Sequence, residues 1–199
     1  MSGEGLFGID PSAADVAIAK RSAALASPSQ QTILRNVTKG ADENPMMIAV
    51  AAVWLGSRFS RNDQFRRDAD QLLCVGVVST ALPHVLKRVF RRQRPDRSYL
   101  HLANGIRRSG NAWDSFPSGH AVHVGAVARS VSRMLPRAAR PLLWPGLAGL
   151  VGTRLLVLAH YPTDVLAGLG VGFVIDGMVA HALTLVRGAG RSSSHASES

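Results

Sequence analysis

Two histidines and an aspartate lie at the edges of apolar segments. His120 falls in FPSGHAVH (116–123), and His160 precedes Asp164 by four residues in TRLLVLAHYPTD (153–164). An imidazole is a nucleophile when one ring nitrogen carries a lone pair and the other is held, and a carboxylate at i+4 is in reach of that second nitrogen. The other histidine can protonate a leaving oxygen. Ser118 reads as a helix N-cap, which would account for it without any chemistry. The same helix start also offers the amides of Ser118 and Gly119, with the serine hydroxyl, to an anion. Cations complete the set: Lys87 and Arg94 in KRVFRRQRP (87–95), seven apart and so on one face of a helix, and Arg154. Lys and Arg neutralise phosphate, Arg in bidentate fashion. The chemistry predicted is attack on phosphorus.

Such groups need elements to bring them together. Five apolar stretches run over 46–59, 71–86, 121–135, 141–159 and 165–186. A spanning helix takes about 20 apolar residues, with roughly 17 tolerated. The last two stretches qualify, the second does so when extended, and the first and third are short or interrupted by His123 and Arg129. Dense Gly and Ala fit close helix packing in a membrane; a buried soluble bundle is the alternative. Taken as spans, the stretches place Lys87, PSGH and His160–Asp164 on one side of the membrane. The expected fold is all-α, an integral membrane helical bundle of about five spanning helices with amphipathic N-terminal helices. The divisions are 1–44 for interfacial helices broken at Ser27–Pro28, 45–186 for the membrane-embedded domain, and 187–199 for a disordered polar tail.

Composition agrees. The 199 residues hold 23 Lys plus Arg against 13 Asp plus Glu, a formal charge of +10. That balance suits polyanions. The basic residues sit between apolar segments, with no zinc-finger spacing or basic heptad run, so lipid headgroups are expected and nucleic acid is not. Mean hydropathy is only +0.10, so the membrane reading rests on local segments. The single cysteine, Cys74, excludes an intrachain disulfide. The N-terminus, with Glu4 and Asp10 and no uninterrupted apolar run, is not read as a signal peptide.

Lys87-x6-Arg94-Pro95, Pro117-Ser118-Gly119-His120 and Arg154-x5-His160-x3-Asp164 together resemble the three-part signature of the type 2 phosphatidic acid phosphatase (PAP2) superfamily. The resemblance implies a metal-independent, cofactor-free lipid phosphatase of the cell inner membrane, acting on a lipid phosphate or isoprenyl (di)phosphate through a phosphohistidine. It implies that His160 attacks phosphorus, Asp164 orients His160, and His120 protonates the leaving oxygen and then activates water. Lys87, Arg94, Ser118, Gly119 and Arg154 would hold the phosphate. The third motif begins with Thr153 where the family usually has serine, and the family's membrane members typically have six spans. Rival readings are a soluble acid phosphatase or vanadate-dependent haloperoxidase relative, and a non-catalytic lipid-phosphate binder. A pure binder has no use for a nucleophile held by a carboxylate.

The remaining charged and aromatic residues have plainer readings. Arg88, Arg91 and Arg92 are expected on a solvated, headgroup-facing run; Arg107 and Arg108 read the same way or as contacts to an anionic substrate headgroup. His84, His101, His123 and His181 read as packing or interface histidines, and Trp54, Trp113 and Trp144 fit interfacial belts. Asp176, deep in the fifth stretch, needs an interior partner, for which Arg129 is the candidate. Basic residues divide nearly evenly between the two sides, so charge does not orient the bundle.

Overall fold

The computed structural model describes residues 6–25, 43–95 and 112–196. Helix α1 (Ala13–Leu25) starts at a reciprocal cap: the Asp15 amide donates to Ser12 Oγ while the Ser12 amide donates to the Asp15 carboxylate. Helix α2 (Glu43–Arg58) is followed by Asn62, whose side chain accepts from the Gln64 and Phe65 amides and opens α3 (Asp63–Val89). Ser118 caps α4 (Gly119–Met134), a proline at the first turn opens α5 (Arg140–Leu156), and α6 covers Pro162–Ala196.

The chain is helical throughout these elements save for a small extended region. Two-residue strands β1 (Phe7–Gly8) and β2 (Phe90–Arg91) pair in parallel, with Phe7 opposite Phe90. The extended segment continues past β2. The Arg92 amide donates to the Trp113 carbonyl, the Ser115 amide to Arg92, and the Arg94 amide to Ala112. Residues 90–94 are thus the middle of three strand-like segments. Helix α3 stops at Val89, so Lys87 and Arg94 do not share a helical face as expected. Alternation along an extended chain instead puts Arg92 and Arg94 on one side.

Helix α4 is the centre of the bundle, packed against α6, α3 and α5. Every residue from His120 to Ala126 is buried. It lies backbone to backbone with α6, because a Cβ on Gly172 would stand 2.4 Å from the Val122 carbonyl oxygen, and one on Gly168 2.6 Å from that of Ser118. Small residues permit such approach where no hydrophobic force separates protein from lipid. Val75, Val122, Ala126 and Ile175 fill one core cluster; Ala121, Val124, Val151 and Val165 fill another.

Two helices are long and apolar enough to cross a membrane, Asp63–Val89 and the Pro162–Ala189 part of α6. In their apolar windows only 28% and 17% of residues are buried, so most of that surface faces outward. Val77, Val78 and Val85 on α3, and Leu166, Val174, Met178 and Leu185 on α6, are exposed. Helices α2, α4 and α5 have 16, 16 and 17 residues, at or just below the roughly 17 tolerated for a span, so two of the five expected spans are of full length among the described residues. Helix α1 covers the bundle through Val16 and Ala19, which pack on Leu158 and Tyr161; the second expected N-terminal helix lies outside the described residues. Residues 187–196, expected in a disordered tail, continue α6.

The backbone contact makes a contrast. Gly172→Ala is expected to destabilise by about 1–3 kcal/mol through overpacking. Gly177→Ala, where a Cβ meets nothing within 4 Å, is expected to gain up to about 1 kcal/mol from lost chain freedom. Thermal midpoints of the two variants in detergent check the opposite signs.

Candidate active site

The three junctions predicted to share a side meet at one end of the bundle. Lys87 comes from the last turn of α3 and Arg94 from the extended segment behind it. His120 stands on the first turn of α4, Arg154 on the last turn of α5, and His160 in the 157–161 turn before α6. A Cβ on Gly119 would lie 3.8 Å from Lys87 Nζ. Arg154 Nη2 is 2.7 Å from His120 Nδ1. Arginine has only donors, so this His120 nitrogen accepts. Burial holds the His160 imidazole well below its ordinary pKa of 6.5. The Arg94 guanidinium adds to this, the Ser115 carbonyl opposes it, and Lys87 and Arg154 push further down. Arg94 Nη1 also donates to the Ala159 carbonyl, directly before His160, at 3.3 Å.

His160 Nδ1 lies 2.7 Å from the Ser115 carbonyl oxygen. A carbonyl only accepts, so Nδ1 carries the hydrogen and Nε2 carries the lone pair. The expected bond from Asp164 to this nitrogen is not made; the two are 3.9 Å apart. The reason is local. His160 is not helical, Leu158 before it takes a left-handed φ of 49°, and α6 begins only at Pro162, so helical i+4 geometry does not apply. The Asp164 carboxylate is instead filled by the Tyr161 amide at 2.8 Å, the Ser115 hydroxyl and Arg92. It grips the residue whose carbonyl holds His160.

Arg92, expected in a solvated run, is only 3% exposed. Its Nη1 is 2.5 Å from Asp164 Oδ1 and 2.7 Å from Thr163 Oγ1, and its Nη2 is 2.7 Å from Asp15 Oδ2. Its guanidinium also lies 4.9 Å from the Tyr161 ring centroid. Asp15, on α1, accepts as well from the Thr163 amide at 3.1 Å. Both residues were missed as site residues. Period-two alternation with Arg94 was the available signal for Arg92. For Asp15 there was none, since its partners lie 77 and 148 positions away. Arg88 is exposed as expected, and Arg91 stacks on Trp113.

Ser118 does cap α4, its hydroxyl accepting from the Ala121 amide at 3.4 Å. Its own amide, expected to face an anion, donates to the Asp164 carbonyl at 3.1 Å, which ties the two helix starts together. The Gly119 amide and the Ser118 hydroxyl hydrogen remain as donors at this helix mouth. Asp176 pairs with Arg129 at 3.1 Å as expected, but also with Arg133, Ser130 and Gln71. His123 is buried against Ser79, and His84 and His181 are exposed. Arg107, Arg108 and His101 lie outside the described residues.

The sequence pattern of the PAP2 superfamily matches residues 70–186. The chain belongs to that family. A lipid A 1-phosphatase of Rhizobium johnstonii is 37% identical over 102 residues, 48% of this chain and 40% of that protein. A decaprenylphosphoryl-5-phosphoribose phosphatase of Mycobacterium tuberculosis is 33% identical over 102 residues, 51% of this chain and 54% of that protein. The chain thus spans about half the length of the curated relatives it matches. Among solved structures, the first transmembrane PAP2 type phosphatidylglycerolphosphate phosphatase from Bacillus subtilis superposes with a TM-score of 0.68 at 22% identity, over 87% of this chain and 86% of that one. Aquifex aeolicus LpxE gives a TM-score of 0.68 at 16% identity, over 88% and 99%. These two likenesses establish the fold.

A pH dependence follows from Asp15. Burial raises its carboxyl, but hydrogen bonds from Thr163, Arg92 and Ser12 outweigh it and bring the pKa from 3.8 to about 2. The unfolded chain binds the proton first as pH falls, so this contribution to stability is complete above pH about 4 and is lost as pH falls through about 2. Acid unfolding of Asp15→Asn beside the parent is expected to show a stability gap at neutral pH that closes near pH 2.

Proposed function

We propose that this chain is a multi-pass phosphatase of the cell inner membrane that removes a terminal phosphoryl group from a lipid phosphate through a phosphohistidine. The observation that carries the reading is the His160 tautomer: Nδ1–H on the Ser115 carbonyl, and Nε2 left with its lone pair at the end of the bundle where Lys87, Arg94 and Arg154 gather. Nε2 attacks phosphorus, the phosphorus–oxygen bond to the lipid breaks, and His120 gives the departing oxygen its proton. Water, deprotonated by His120, then cleaves the phosphorus–nitrogen bond and releases inorganic phosphate and His160. The cations take up the charge that grows on the equatorial oxygens. Arg154 contributes twice in this reading. It bonds His120 Nδ1 in the resting site, and an arriving phosphate draws its guanidinium away, which allows that nitrogen to take a proton.

The outward apolar surface of α3 and α6 supports action within a bilayer, where a phosphate at the helix ends would leave its hydrocarbon among lipid chains. The substrate we favour is an isoprenoid phosphate or a simple glycerolipid phosphate. The relatives' names add a decaprenyl carrier bearing a phosphorylated sugar, and lipid A.

The test is release of inorganic phosphate by the detergent-solubilised protein from a prenyl monophosphate, a prenyl diphosphate, phosphatidate, phosphatidylglycerophosphate and lipid A. Turnover of at least one is expected; none with any would refute the reading. His160→Ala is expected to fall to background, and His120→Ala to lose about 10²–10⁴-fold, the span of general acid–base catalysis. Three side-chain cations supply the charge, so EDTA is expected to leave the rate unchanged while vanadate inhibits as a pentacoordinate mimic.

A further inference from the structure

Of the four residues that follow His160, one buried guanidinium touches three. Arg92 stacks on Tyr161, donates to the Thr163 hydroxyl and pairs with Asp164. Its other arm pairs with Asp15, which accepts the Thr163 amide and hydroxyl at 3.1 and 3.0 Å. Asp15, Arg92 and Asp164 are 1%, 3% and 0% exposed. Removing three charges from solvent is costly, and packing alone does not require them. What they share is the turn that carries the nucleophile, whose backbone is strained at Leu158 and held down by Val16 and Ala19 of α1.

We infer that Arg92 and Asp15 are positioning residues for the phosphoryl transfer: Arg92, braced by Asp15, keeps Asp164 ionised so that it holds Ser115, whose carbonyl holds the His160 tautomer. The inference rests on the reading of His160 as the group that meets phosphorus. Its logic is one of charge balance. One guanidinium lies between two carboxylates, so Arg92→Gln leaves two buried acids facing each other, and one of them takes a proton. A protonated Asp164 can no longer accept from both the Ser115 hydroxyl and the Tyr161 amide with the same oxygen at full strength. Ser115 then drifts, and His160 loses its held nitrogen. Asp15→Asn in the same chain removes one of the two acids and relieves the repulsion. A role confined to packing predicts the reverse, with each substitution adding its own loss.

The charged and titratable groups facing Asp164 are Arg92, which comes from the extended segment, and His160, which lies in the turn; Asp15 on α1 reaches it through Arg92. The network also explains how the N-terminal helix bears on catalysis. Asp15, on α1, fixes Thr163, the residue next to Asp164.

The test compares wild type, Asp15→Asn, Arg92→Gln and the double variant, with p-nitrophenyl phosphate and a prenyl monophosphate across pH. Arg92→Gln is expected to lower kcat about 100-fold, the scale of a small misplacement of a reacting group, with KM held within about threefold. Its acid limb in the kcat profile is expected to move to higher pH. Adding Asp15→Asn is expected to make the enzyme faster than Arg92→Gln alone. A double variant as slow as Arg92→Gln or slower, or a single variant with wild-type kcat and pH profile, overturns the inference. Thermal unfolding monitors folding. Should Arg92→Gln not fold, Asp15→Asn alone decides: lower kcat at constant KM supports the inference, and wild-type kcat overturns it. A wild type inactive on every phosphate would count against the proposed function instead. In that case the rise in unfolding temperature with vanadate, which needs a positioned imidazole, is expected to shrink in Asp15→Asn; an unchanged rise overturns the inference.

Discussion

An imidazole can meet phosphorus only through a nitrogen that is not already protonated, and here a backbone carbonyl makes that choice. The Ser115 carbonyl takes the Nδ1 hydrogen of His160. Everything else at this end of the bundle keeps Ser115 and His160 in register. The Ser115 amide donates to Arg92, its hydroxyl to Asp164, and Asp164 in turn takes the Tyr161 amide directly after His160. A hydrogen bond to a carbonyl orients the ring without a direct ion pair, the Asp164 carboxylate staying 3.9 Å from the same nitrogen. That suits the role proposed for His160, an imidazole that burial and nearby cations keep neutral.

This register depends on how closely two helices approach. Gly168 and Gly172 bring α6 against the backbone of α4, and the Ser118 amide reaches the Asp164 carbonyl across the gap. The PSGH helix start and the first turn of α6, which follows His160, are therefore tied together. Cations reach it from the outside, Lys87 along α3, Arg94 along the extended segment and Arg154 along α5. The outward faces of α3 and α6 are apolar, while polar groups gather at this end and around Asp176. Such an inside-out distribution is that of a membrane bundle with a polar mouth.

Much of this was legible in the chain, for a simple reason. Long apolar segments force chemistry to their ends, so Lys87, Ser118–His120 and His160–Asp164 could be placed together from hydropathy alone. What was hidden lay where the chain leaves the helix. Extending a helical period past Val89 paired Lys87 with Arg94, and made Arg92 look like a surface residue. The i+4 rule joined His160 to Asp164 across a turn that is not helical. Asp15 could not have been found, since no local rule connects it to Thr163 across 148 positions.

The most direct measurement is to find where the phosphoryl group goes. An activated lipid phosphate is mixed with the His120→Ala protein, the reaction is quenched in alkali, and the modified peptide is mapped by mass spectrometry. The account predicts an acid-labile, alkali-stable phosphate on Nε2 of His160 and on no other residue. Phosphate on a different side chain, or oxygen exchange showing that water attacks the substrate directly, would contradict it.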